Sequence, residues 1–220
     1  MKHKNSHLLV GYWNRLRRGR SVPDQTDIDP RAIKRMLSQI FILEATSVAR
    51  PVYRLAGTAI CERFGHEMRG VNFLSHWENQ SGMALASLLR QALRMRQPLC
   101  LASIGTASDA GLVEVETVLV PVSLGGNTPT RFVGMMQVLG EPLLLSGRTL
   151  SHERLVGSQF IREDEPLSIS DLPPPPSAAG RQHPKAPHLR LVVNRHAFAP
   201  LPASGDSFLR YLFEPLMLPR

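Results

Sequence analysis

The sequence predicts an α+β domain: an antiparallel sheet carrying helices on one face, with a helical extension before it and a proline-rich tail after it. Three observations lead there. Apolar runs of strand length occur first as a pair and then as a trio, with helical periodicity between the two groups. Short polar stretches rich in glycine separate the later runs, as hairpins require. Nine of the 18 prolines fall between Pro166 and Pro202, so that stretch favours extended polyproline geometry and builds no core.

Each element has its own signal. Leu8, Leu9, Tyr12, Trp13 and Leu16 recur at helical spacing after Asn5 and Ser6, and Gly19 ends that helix. An isolated helix of this length is marginal in water, so its stripe must be buried. Leu9, Tyr12, Trp13 and Leu16 then face either the protein's own sheet or a second copy. A second helix starts at Asp29 as N-cap with Pro30 in its first turn, and presents Ile33, Met36 and Leu37 on one face. Residues 40–45 read as a buried strand, and 52–56 as its partner after the Pro51 turn. A short helix spans 58–64, closed by Gly65. The clearest internal helix covers 82–96, with Leu85, Leu88, Leu89, Ala92 and Met95 inward, and stops before Pro98. Strands at 98–106 and 112–123 flank a hairpin turn at Ser108–Gly111, and a third follows at 131–139. Weaker strand-like runs at 142–145 and 154–161 extend the sheet. The domain boundaries follow: 1–28 a basic helix and connector, 29–162 the folded domain, and 163–220 a largely disordered tail with an apolar end at 208–218.

Composition narrows the function. No run of 18 or more apolar residues occurs, so no transmembrane helix is expected, and no apolar stretch of secretory-signal type follows the basic N-terminus. Two cysteines, Cys61 and Cys100, fit a reducing, cytoplasmic address and small buried roles; a redox-sensing pair is the sharper alternative. The net charge of +8 is concentrated in residues 1–20, which hold six bases and no acid. That arm admits a nucleic-acid or membrane-surface role, although a solvated helix face is the plainer reading.

Catalytic templates fail. There is no dinucleotide or phosphate-binding glycine loop and no nucleophile elbow. His152-Glu153 and His66-Glu67 begin zinc-protease-like patterns that lack the second histidine. His66 and His76 read as surface or satisfied polar residues rather than metal ligands. Glu114 and Glu116 alternate with Val113 and Val115, which marks a solvent-facing strand edge rather than a carboxylate dyad. No enzyme is expected.

Three consecutive segments then carry a resemblance: Val52-Tyr-Arg-Leu-Ala-Gly57, Thr58-Ala-Ile-Cys-Glu-Arg-Phe-Gly65 and Glu67-Met-Arg-Gly-Val-Asn-Phe-Leu74. They are similar to the middle of a PAS sensory domain. Trp13-x-x-Leu-Arg, the stretch from Pro23 to Pro30 and Ile40-Phe-Ile-Leu-Glu44 resemble a bacterial family of stand-alone PAS proteins with an N-terminal helix pair. The resemblance covers about residues 8–161. It implies a five-stranded antiparallel sheet, a role in signalling and no fixed ligand. Gly70-Val-Asn-Phe-Leu74 lacks the adduct-forming cysteine of flavin photosensors, and residues 82–96 contain no haem-ligating histidine, so neither flavin nor haem is supported and no visible absorption is expected. Phe64, Trp77, Leu85, Leu88, Leu89, Met135 and Met136 line a pocket if one exists, and fill a core if none does. The resulting expectation is a sensory or regulatory protein, a homodimer that passes its signal to a protein partner in trans, with a small molecule possible.

Overall fold

The computed structural model describes residues 1–45, 50–108, 111–140 and 147–162. The 142–145 run, the tip of the Ser108–Gly111 hairpin and the tail with its 208–218 segment lie outside them.

Six antiparallel strands form one sheet: β1 (Ile40–Glu44), β2 (Val52–Ala56), β3 (Leu99–Ala107), β4 (Leu112–Val122), β5 (Arg131–Leu139) and β6 (Leu150–Phe160). Their spatial order is β2-β1-β5-β4-β3-β6. The first five give the expected sheet. The sixth grows from the weak 154–161 run, begins four residues earlier at Leu150 and adds to the free edge of β3.

Both faces of this sheet are covered. This explains why the second half of β4 and most of β5 are buried without alternation. On one face lie α2 (Thr58–Phe64) and α3 (Asn79–Met95), over a core of Phe41, Leu43, Phe73, Leu85, Leu89 and Leu119. On the other lies α1 (Lys4–Arg17), whose Leu9, Val10 and Trp13 pack with Ile40, Val118 and Met135. The N-terminal extension is therefore the second layer of the domain.

Helix α1 is fixed at both ends. The ring nitrogen Nδ1 of His3 accepts from the Asn5 amide at 3.1 Å as N-cap. Arg18 and Gly19 both adopt left-handed backbone, which turns the chain back toward the sheet. The segment expected as a second helix is a tight 3-10 turn over Lys34–Gln39. The chain before β1 closes with i→i+3 bonds such as Met36 N–H to Ile33 O, the pattern of a 3-10 turn rather than of an α-helix. In α3, Leu85, Leu89 and Ala92 are buried and Leu88 packs at the margin, as expected. Met95 is instead 45% exposed, because the final turn runs out from under the sheet.

Glu116 corrects the reading of β4 as solvent-facing. Glu114 is exposed, but Glu116 is buried beneath the start of α1, where its carboxylate accepts from the backbone N–H groups of Lys2 and His3. Burial pushes this carboxyl up, yet the Ser6 hydroxyl and those two amides outweigh burial and hold it below the usual carboxylate range. A depressed folded-state pKa gives stability that is complete above the unfolded pKa and is lost as pH falls through the folded one. Glu116→Gln is expected to cost about 1–3 kcal/mol at neutral pH. The deficit should shrink on acidification, as read by urea melts at pH 7 and pH 3.

Candidate functional site

The interior between the sheet and α2/α3 collects most of the expected pocket residues. Phe64, Trp77, Leu85, Leu89 and Met136 share one buried cluster, with Leu88 at its border. Met135 does not join them. It lies on the opposite face, packed with the α1 layer, because neighbouring residues of a strand point to opposite sides of the sheet. Of the expected interface residues, Leu9 and Trp13 are buried on the protein's own sheet, while Tyr12 and Leu16 sit partly buried at the rim of that cluster. The two cysteines fall on opposite faces, Cys61 beside the α2/α3 core and Cys100 in the α1 layer, so they make no pair.

Aromatic rings dominate the interior. Phe41, Tyr53 and Phe73 pack mutually with centroids 5.4 to 5.8 Å apart. His76, expected as a surface or satisfied residue, is buried among them. Its ring centre lies 4.5 Å from that of Phe64, 5.4 Å from Phe73, 5.9 Å from Trp77 and 6.1 Å from Tyr53.

Into this apolar setting β6 inserts a carboxyl group. Glu153 is fully buried; its Oε2 accepts from the Ser103 hydroxyl at 2.7 Å, and its Oε1 lies 3.7 Å from His76 Nε2. The backbone locks the two segments together: Glu153 N–H donates to His76 O at 2.8 Å, and Glu78 N–H donates to Glu153 O at 2.9 Å. Burial pushes the Glu153 carboxyl up to about 7, against the opposing pull of the Ser103 hydrogen bond and the Arg63 charge. Burial pushes the His76 imidazole down to about 3. The 3.7 Å contact is thus between a neutral imidazole and a carboxyl that titrates near neutrality, not an ion pair.

Five buried polar atoms here have no hydrogen-bond partner among the described residues: Tyr53 Oη, both ring nitrogens of His76, Trp77 Nε1 and Glu153 Oε1. Native interiors leave few such groups unpaired, and each costs about 1–3 kcal/mol. Their gathering around one imidazole is the feature that distinguishes this interior from plain core.

His76 makes its own prediction. Its folded-state pKa is depressed, so as pH falls the unfolded chain takes up the proton first. The associated stability is intact above about pH 6.5 and drains away toward pH 3. The stability difference between the natural protein and His76→Gln should therefore shift against the natural protein across that window. A pH-independent difference would contradict the assignment.

Sequence reasoning missed Tyr53, His76, Ser103 and Glu153. Tyr53 stands in the first motif segment without any mark of its role, and His76, two residues past the last segment, reads as a lone polar residue. Glu153 reads as part of a failed zinc pattern, and register shifts in the β3–β6 ladder after Ala102 and Thr106 break the alternation that would mark it as inward-facing. Outside this interior, a polar cleft of about 350 Å³ opens beside Lys2, His3, Gln39, Arg63 and Gln137. It contains none of the expected pocket residues.

The sequence profile described as PAS domain matches residues 1–137. No curated protein matches the chain. Among solved structures, it is similar to the LOV protein of Rhodobacter sphaeroides, at 15% identity and a TM-score of 0.40, over 52% of this chain and 70% of that one. It is similar to the light-state Aureochrome1 LOV domain at 11% identity and a TM-score of 0.40, over 52% of this chain and 91% of that one. A fungal LOV domain photoreceptor matches at 14% identity and a TM-score of 0.37, over 52% and 94%.

Proposed function

Because the chain belongs to the PAS domain family, we propose that it is a regulatory protein whose sensory event occurs in the α2/α3 interior and whose output is contact with other proteins. The observation that carries this is the group of unpartnered polar atoms around His76, which a small hydrogen-bonding molecule or a change of protonation would satisfy. The same reading takes the protein as a homodimer that signals to a partner in trans, without turnover chemistry. Tyr12 and Leu16 keep enough exposure on α1 to contribute to a contact between copies.

Native mass spectrometry of the full chain tests both parts. A dimer is expected, and any bound molecule should disappear in a His76→Phe, Tyr53→Phe variant that stays folded. A monomer at all concentrations would overturn the dimer. A bound molecule retained by the variant would remove the interior as its site.

One observation favours a second reading. With the apolar stripe of α1 turned to the sheet, Lys4, Arg15 and Arg18 face outward, and Arg31, Lys34 and Arg35 are exposed on the following segment. Tyr12 joins the two stretches by accepting from the Asp29 N–H at 2.8 Å. This surface suits a nucleic acid or an anionic membrane. Binding to DNA or anionic vesicles that weakens steeply with salt would favour it, and no binding at low salt would exclude it.

A further inference from the structure

We propose a further function for the accessory strand: Glu153 is a proton-sensing group, held protonated while β6 is docked, whose ionisation releases β6 from the core. Few side chains hold this strand to the core. Of the eleven residues of β6, only Leu150 and Glu153 are buried, with Leu155 and Phe160 partly packed. The rest of its attachment is the backbone ladder to β3 and a few hydrogen bonds to the segment that leads into α3. One of its two buried anchors is therefore an ionisable carboxyl, an arrangement that costs little when neutral and much when charged.

The groups facing Glu153 come from every element around it. Ser103 on β3 donates the single hydrogen bond. His76, before α3, stays neutral near physiological pH and contributes no compensating charge. Tyr53 on β2 keeps its proton, since burial first and the Glu153 charge second push its phenol well up. Among the described residues, Arg63 on α2 is the cation acting on the carboxyl, but its guanidinium donates at 2.7 Å to the Met136 carbonyl. His152 and Arg154, beside Glu153 in sequence, are exposed.

When the O–H bond of Glu153 breaks, its proton passes to water and the full negative charge stays on a carboxylate with one unpartnered oxygen. Hydrating that oxygen requires β6 to lift. Lifting breaks the Glu153–His76 and Glu78–Glu153 backbone bonds and the bond from Leu155 N–H to the Ser81 hydroxyl at 3.0 Å, which together tie β6 to the start of α3. The sign is fixed: a folded-state pKa raised to about 7 means that docking is favoured below it and lost above it. The released element is an edge strand with free backbone donors and acceptors, a surface suited to pairing with another chain. The inference concerns the proton alone and stands whether or not the interior also holds a small molecule.

Two measurements on the full chain decide it. The first is the Glu153 side-chain carboxyl resonance followed by NMR from pH 4 to pH 9. The second is amide exchange of β6 and the 76–82 segment at pH 6 and pH 8, corrected for intrinsic rates, in the natural protein and in Glu153→Gln. The expected result is a carboxyl that titrates near neutrality, with β6 protection falling at least several-fold from pH 6 to pH 8 and no such fall in Glu153→Gln. A carboxyl titrating in the ordinary range near pH 4, unchanged β6 protection in the natural protein, or a fall that survives in Glu153→Gln would each overturn it. Should Glu153→Gln fail to fold, the titration and exchange of the natural protein still decide.

Discussion

Gly134→Ala is expected to destabilise the protein by about 3 kcal/mol or more, with loss of the native fold at moderate urea. Gly134 faces Phe41 across the β1–β5 ladder, and a Cβ added there would stand 2.2 Å from the Phe41 ring. The ring cannot step aside. It is fully buried, edge-on to Tyr53 with centroids 5.4 Å apart and stacked on Phe73 at 5.8 Å. Moving it would displace the rings that surround His76, so the damage should reach the interior site as well as the sheet. The clash also predicts non-additivity. Phe41→Leu alone should destabilise, yet the Phe41→Leu, Gly134→Ala double variant should be clearly more stable than the sum of its parts. Additivity within about 0.5 kcal/mol would mean that the strand yields and the ring does not matter.

Trp13→Ala is expected to cost about 3–5 kcal/mol, a fall in Tm on the order of 10 °C for a domain of this size. The indole is 3% exposed, its Nε1–H donates to the Pro121 carbonyl at 2.7 Å, and the Arg17 guanidinium lies 5.1 Å over the ring. Truncation would open a large void in the α1 layer and leave a buried carbonyl unpaired. Because the ring is spent inside its own subunit, the variant should melt early without a change in oligomeric state at temperatures where it remains folded. Leu16→Ala, at the rim, should cost much less. Sedimentation and thermal melts of the two variants separate the outcomes: a folded Trp13→Ala monomer beside a natural dimer would move the indole to an interface between copies.

Much of the fold was legible because its signals are local. Helical spacing and glycine gave α2 and its end at Gly65, and the apolar run gave β5, each with the bounds the structure has. The spacing of Leu85, Leu89 and Ala92 gave the buried face of α3. The stripe of α1 was legible as something that must be covered, but a stripe carries no information about what covers it. The aromatic and aliphatic residues of the interior were identifiable as a group. Met135 and Met136 both read as pocket candidates, yet neighbours on a strand point to opposite faces and only Met136 turns to this interior.

What only the tertiary structure decided is the electrostatic character of that interior. A glutamate next to a histidine, just before a weak strand-like run, reads as surface, and Glu116 on an alternating strand reads the same way. Burial and hydrogen bonding fix their properties, and these come from partners far along the chain: Ser103 for Glu153, 50 residues away, and the backbone of Lys2 and His3 for Glu116, more than 110 residues away. Periodicity reports the face a residue turns toward; the cost of charging it depends on what the rest of the fold leaves there to solvate it.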